Sequence, residues 1–189
     1  LDPDGTVSEI GVPGHTITQA DVRSAGFQAY NSLPLDPSIR IFGPNATVAQ
    51  DLEPEHLVIA QNSLTAYVTL QENNAVAVID VPSASVTNLF GLGFKNYSLA
   101  GNGLDPSDRD NGIHIGNWPV FGMYQPDAIE EFKIGATTYL ITANEGDARE
   151  YSGLAEEVRL ALLPLDPTVF PNAAALKQQA ALGRLRVTS

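Results

Sequence analysis

The sequence predicts a mainly β protein, part of a β-propeller of about three to four blades with short helical inserts. Three observations carry this reading. Short runs rich in β-branched residues follow one another at turn-length spacing between His56 and Phe90. The order of that stretch recurs, more loosely, between Pro126 and Asp147. The chain's 16 glycines and 13 prolines are scattered along its 189 residues, which suits many short elements joined by turns.

The first run is His56-Leu57-Val58-Ile59-Ala60. Thr65-Ala66-Tyr67-Val68-Thr69-Leu70 and Ala75-Val76-Ala77-Val78-Ile79-Asp80-Val81 follow, separated by Gln71-Glu72-Asn73-Asn74, a polar spacer with hairpin chemistry. After Pro82-Ser83 comes Ser85-Val86-Thr87-Asn88-Leu89-Phe90. Four short strands within about forty residues make one blade. In the second copy, Pro126-Asp127 opens the run from Ala128 to Ile134 as Pro54-Glu55 opens the first. Thr138-Tyr139-Leu140-Ile141-Thr142-Ala143 echoes the Tyr67 strand, and Asn144-Glu145-Gly146-Asp147 echoes the polar turn. Between the copies, Gly101 to Gly112 reads as a long loop of Gly, Asn, Asp and Pro, the kind that is functional or ordered by a ligand.

Two helices are expected. Thr18-Gln19-Ala20-Asp21 resembles a capping box opening a short helix towards Phe27 and Tyr30. Asn172 to Leu182 is rich in Ala, Leu and Gln, bracketed by Pro171 and Gly183, and marks residues 164–183 as a helical insert. The whole span, 1–189, reads as one propeller fragment incomplete at both ends, to be completed by remaining blades of a parent chain or by a second copy. An incomplete ring otherwise leaves sheet edges uncovered.

Ten basic and 22 acidic residues leave a net charge of −12. Such a surface repels phosphate backbones and anionic headgroups, which argues against nucleic acid as a partner. The absence of cysteine excludes disulfides, thiol catalysis and Cys-type zinc sites. With no apolar run of about 18 residues, no membrane insertion is expected in this segment. No Gly-x-Ser-x-Gly elbow, phosphate-cradling loop or dinucleotide fingerprint is present.

The stretch from Pro54 to Gly93, with its Tyr-Val-Thr strand, Asn-rich turn and Val-Ile-Asp strand, resembles the YVTN-type propeller repeat. Five motifs resemble more closely the bacterial choice-of-anchor I family, sometimes labelled alkaline-phosphatase-like. They are Gln50 to Glu55, Tyr67 to Asn74, Gly103 to Asp110, Gln125 to Ile129, and Thr142 to Arg149, together spanning roughly residues 38 to 160. The resemblance implies an exported or surface-anchored propeller, placed extracellularly, in the periplasm or on the cell surface, and often part of a longer chain. It brings no catalytic residue.

The acidic turns supply the candidate site. Loops at one end of a propeller converge on its axis, so Glu53, Glu55, Glu72 with Asn73, Asp127, Glu145 with Asn144, and Asp147 are the expected ligands of a divalent cation, calcium first, which takes about six to eight oxygens. The competing reading is that these carboxylates only cap strands and turns. Asp105, Asp108 and Asp110 carry part of a calcium-loop spacing without its final Glu, which favours self-satisfied Asp turns. Arg109 and Arg149 are candidate ligand-binding residues able to orient a phosphate, or else neutralise neighbouring carboxylates. His15, His56 and His114 are too few for a His-rich metal site, and His114 lacks a named catalytic partner. Trp118 and Tyr124 offer rings for a sugar or peptide, or inter-blade contacts. The expected function is therefore a calcium-stabilised extracellular propeller module that binds a ligand or cell-surface partner. The alternative is a metal-dependent phosphoesterase.

Overall fold

The computed structural model describes residues 26–188 and, before them, Thr6–Val7 and Ile17–Thr18. The latter two segments form strands β1 and β2, which pair antiparallel. The first expected helix falls largely outside the described residues. Its described end is a helical start at Gly26 and Phe27 running into a 3-10 turn, Gln28–Asn31. By its contacts the chain divides into two units, Leu1–Gly93 with Tyr124–Glu145, and Phe94–Met123 with Gly146–Ser189.

The first unit is built on one four-stranded antiparallel meander. Its strands are β3 (Pro54–Ile59), β4 (Thr65–Leu70), β5 (Ala75–Asp80) and β6 (Ser85–Gly91). These are the four runs expected from their β-branched composition. β4 buries one face fully, through Ala66, Val68 and Leu70, and its other face in part, with Thr65 and Tyr67 half-buried. Val68 and Leu70 join Ala75 and Ala77 of β5 in a core closed by Phe27, Ile39, Ala49, Leu52 and Leu89. On the opposite face Thr69 and Val76 are also buried, and Thr69 Oγ1 donates to the carbonyl of Asp127 at 3.3 Å. Alanines at 75 and 77 present little bulk, so Phe27 and Leu52 can approach the sheet closely.

A short helix, α1 (Val48–Asp51), was not legible in the sequence. Its start is held by a capping box between Thr47 and Gln50, the Thr47 N–H donating to Gln50 Oε1 at 3.0 Å. Asn31 Oδ1 takes the Ala49 N–H at 3.0 Å. The helix serves to deliver Asp51, 1% exposed, beneath the β4–β5 turn.

That turn is the structural centre of the unit. Asn73 and Asn74 are fully buried, and Asn74 adopts the left-handed conformation (φ 54°) that asparagine tolerates. Asn73 Nδ2 donates to the Arg40 carbonyl at 2.7 Å, and at 3.1 Å to both the carbonyl and Oδ2 of Asp51. Its Oδ1 accepts the Glu53 N–H at 3.0 Å. Asp51 in turn accepts the N–H groups of Phe42 and Gly43 at 3.1 and 2.6 Å. Asn74 Oδ1 accepts the N–H groups of Tyr124 and Gln125 at 2.8 and 3.2 Å, while its Nδ2 donates to the Gly93 carbonyl at 2.8 Å. Two neighbouring amides thus tie together five segments distant in sequence.

The second copy of the pattern is the hairpin β9 (Pro126–Ile134) and β10 (Thr137–Asn144). It lies in the same unit, with β9 packed against β3 and β4. Pro126 and Asn144 pair at one end of this ladder as Pro54 and Leu70 do in the first. Beyond Asn144 the copies part. Residues 145–149 are irregular, and among the described residues β10 pairs only with β9, leaving Tyr139, Leu140 and Ile141 exposed along it. Phe132 and Tyr139 stack across the hairpin, their ring centres 5.4 Å apart.

The second unit is made of three two-stranded ribbons. They are β7 (Lys95–Asn96) with β8 (Phe121–Gly122), β11 (Glu150–Tyr151) with β12 (Leu154–Ala155), and β13 (Glu157–Arg159) with β14 (Arg186–Thr188). Leu160, Leu176 and Leu182 form its core, with Trp118, Val120, Phe170 and Val187 against them. The stretch expected to be helical from Asn172 to Leu182 is helical only in α2 (Ala173–Leu176), followed by a 3-10 turn, Leu182–Arg184. Burying both Leu176 and Leu182 in one small core requires the chain to double back. Tertiary burial outweighs propensity in a segment too short to be a stable helix alone. Gly183 permits this, since a Cβ there would meet the carbonyls of Lys177 and Gln178. The fold as described is mainly β, with few helices and antiparallel sheets.

Truncating Asn73 to Ala removes the acceptor of the Glu53 N–H and the donor to the Arg40 carbonyl and Asp51, and is expected to cost about 3 kcal/mol. The urea midpoint should fall with little change in slope, whereas Asn62→Ala, at the exposed turn before β4, should cost less than about 1 kcal/mol. Equal shifts in the two variants would refute the role assigned to the buried turn.

Candidate functional site

The sequence-predicted acidic residues divide between the units. In the first, the register sets Glu53, Asp127 and Glu145 beside Pro54, Pro126 and Asn144, and Glu72 in the β4–β5 turn, all at one end of the two ladders. Their backbones are tied together there. The Glu145 carbonyl accepts from Gln71 Nε2 at 3.2 Å, and its N–H donates to the Gln125 carbonyl at 3.1 Å. The side chains are disposed differently. Glu72 is buried, Glu53 half-buried, and Glu55, Asp127 and Glu145 are exposed. Asn73 spends both polar atoms of its amide on protein groups. Among the described residues no three His, Asp or Glu side chains are grouped as a metal ion requires.

In the second unit Asp147 is exposed, with Oδ1 accepting the Ala148 N–H at 2.7 Å. Arg149 is buried beside Glu156, whose Oε2 accepts the Arg149 N–H at 3.3 Å and whose own N–H returns to the Arg149 carbonyl. Arg109 is exposed, and its N–H donates to Ser107 Oγ at 3.1 Å.

The aspartates of the long loop are indeed used locally. Asp105 accepts the Ser107 N–H and, at 3.0 Å, the His114 N–H. Asp110 Oδ2 lies 2.8 Å from His114 Nδ1. Asp108 instead reaches out of the loop to Arg184, which grips it with Nε at 2.8 Å and Nη2 at 3.1 Å, a two-pronged guanidinium–carboxylate pair. The hydrogen bond from Arg184 is the main reason the Asp108 carboxyl is lowered from 3.8 to about 2; Arg109 adds a smaller pull. The same contact raises the Arg184 pKa.

Arg184 belongs to a concentration of arginines in this unit. A cleft of about 310 Å³ is lined by Arg159, Arg184 and Arg186 together with Asp105, Ser107 and Asp108. Arg159 and Arg186 face each other as ladder partners of β13 and β14. Arg159 Nη1 donates to the Arg184 carbonyl, and Arg186 Nη1 is paired with Glu157. A second cleft, of about 380 Å³, shares Arg186 and is lined by Asp147, Glu150 and Glu157. Sequence reasoning singled out Arg109 and Arg149 and missed these three. The available signal was Arg184-Leu185-Arg186, alternate arginines in a strand-like segment of an acidic chain.

A family model for the choice-of-anchor I domain matches residues 1–189, the whole chain. The chain belongs to the choice-of-anchor I family. Choice-of-anchor domains are carried by surface-associated or secreted bacterial proteins, in keeping with the expectation drawn from the motifs. No curated protein and no solved structure matches this choice-of-anchor I chain. Among its described residues no helix is long and apolar enough to cross a membrane.

Because the folded Asp108 pKa lies below its unfolded value, the pair with Arg184 contributes its full stability above about pH 4 and loses it as the pH falls towards 2. Thermal melts should therefore show an acid-side loss between about pH 4 and 2 that Asp108→Asn diminishes. An unaltered acid profile in that variant would contradict the pairing.

Proposed function

We propose that this chain is a ligand- or partner-binding module of a surface-associated bacterial protein, built as consecutive blades of a β-propeller. The observation that carries the reading is the repetition in the first unit. The β9–β10 hairpin repeats β3–β4 in strand order and in the proline that opens it, and β9 lies against β3 and β4. A strand buried on one face and half-buried to buried on the other, as β4 is, suits a sheet stacked between neighbours. The exposed edge of β10 stands where β5 lies in the first sheet, so further strands added there would complete the second blade.

In this reading the acidic end of the ladders is held by the Asn73–Asn74 amides, and a divalent cation bound to its carboxylates is an addition rather than the source of the fold. Binding, not turnover, is the activity.

The chain is expected not to hydrolyse p-nitrophenyl phosphate, with calcium, manganese or neither. Turnover that disappears in Glu145→Gln or Asp147→Asn would replace this reading with a metal-dependent phosphoesterase. Calcium should raise the melting temperature by only a few degrees (about 1 kcal/mol corresponds to about 2–4 °C at this chain length). Unfolding on addition of chelator would overturn the secondary place given to the cation.

A further inference from the structure

We propose that the three-arginine cleft of the second unit, bounded by Asp105–Asp108 and by Arg159, Arg184 and Arg186, binds a phosphate group. The proposal deepens the binding reading above and rests on it.

Charge is the first argument. Three of the chain's ten basic residues line a single small cleft in a protein of net charge −12. Asp105 and Asp108 in the lining, together with Glu157 on Arg186, balance the three guanidinium groups, so the cleft gathers N–H donors without net negative charge in an otherwise strongly acidic chain.

The second argument is the cross-strand register. Arg159 and Arg186 are direct partners on a ribbon only three residues long. Like charges opposite one another on a ladder are destabilising, and here a carboxylate, Glu157, is paired with Arg186 while Arg159 has, among the described residues, only the Arg184 carbonyl. An anion between the two side chains turns that repulsion into attraction.

Preorganisation is the third. Each guanidinium is already oriented by a protein acceptor: the Arg184 carbonyl for Arg159, Asp108 for Arg184 and Glu157 for Arg186. Those bonds occupy one, two and one of the five N–H donors that each arginine carries. The remaining donors belong to groups whose positions are already fixed, so little side-chain entropy is lost on binding. A tetrahedral dianion with several acceptor oxygens can engage more than one fork at once, which a planar carboxylate does poorly. The cleft, about 310 Å³ and open to solvent, has room for a phosphate or a small phosphomonoester. Asp108 and Glu157 act here as internal competitors that hold the forks open.

The test is calorimetric titration of inorganic phosphate, and separately of glycerol 3-phosphate, into the 189-residue chain at low ionic strength. Both should bind, and the tighter of the two identifies free phosphate or a phosphomonoester as the natural form. Arg186→Gln and Arg159→Gln should each weaken binding about tenfold or more, as expected for loss of one charge-assisted contact. Asp108→Asn should tighten binding several-fold while circular dichroism stays unchanged, because a neutral amide competes less well for Arg184. A purely structural role for Asp108 predicts no such gain. Absence of binding by both anions at millimolar concentration, or weaker binding in Asp108→Asn with the fold intact, would overturn the proposal. These outcomes are separable from those for the binding module. A missing phosphate site leaves the module reading standing, and phosphatase turnover would remove the module reading while leaving the cleft in place.

Discussion

Everything in the first unit depends on burying two consecutive asparagines at the tip of the β4–β5 hairpin. A hairpin turn is ordinarily a solvent-facing device whose polar residues are satisfied by water. Here water is excluded, and each amide must find protein partners or leave a costly unsatisfied group. Asn73 finds them in the 40–53 segment and Asn74 in Ser38, Gly93, Tyr124 and Gln125. The turn is a specification as much as a stabiliser. Each of these loops is held in place by a bond to one or other of the two side chains.

The same constraint places a further carboxylate, Asp51, near the acidic end of the sheet for a structural reason. Asp, Glu and Asn accumulate where chain segments converge, because converging segments bring N–H groups that need acceptors. Asp51 shows the principle. It is a buried carboxylate whose oxygens are taken by Phe42, Gly43 and Asn73. A cluster of hard oxygen ligands and a cluster of loop acceptors have the same composition, and the distinction lies in distances that composition does not contain.

The four strands of the first meander were legible because each is a compact β-branched run bounded by turn residues, and the second hairpin because it repeats their order. The break after Asn144 was not, since Asn144-Glu145-Gly146-Asp147 has hairpin chemistry whether or not a strand follows. Helix α1 was hidden by its length: four residues carry no periodicity, and its start rests on contacts with Asn31 and Gln50. The overestimated helix after Asn172 failed for the opposite reason. Its alanines favour helix locally, but Leu176 and Leu182 both have to reach Leu160. The arginine cleft was out of reach because Arg159 stands 25 residues before Arg184, and only the β13–β14 pairing brings Arg186 opposite Arg159.

The bare edge of β10 also bears on selectivity. Main-chain amides and carbonyls are the same in every strand, so hydrogen bonding alone would accept almost any extended segment laid along that margin. Discrimination has to come from the side chains that flank it, from Tyr139 and Ile141 on one surface of the ribbon and Leu140 on the other. A strand added there would thus be chosen by its alternation of bulk, much as a zip is chosen by the pitch of its teeth.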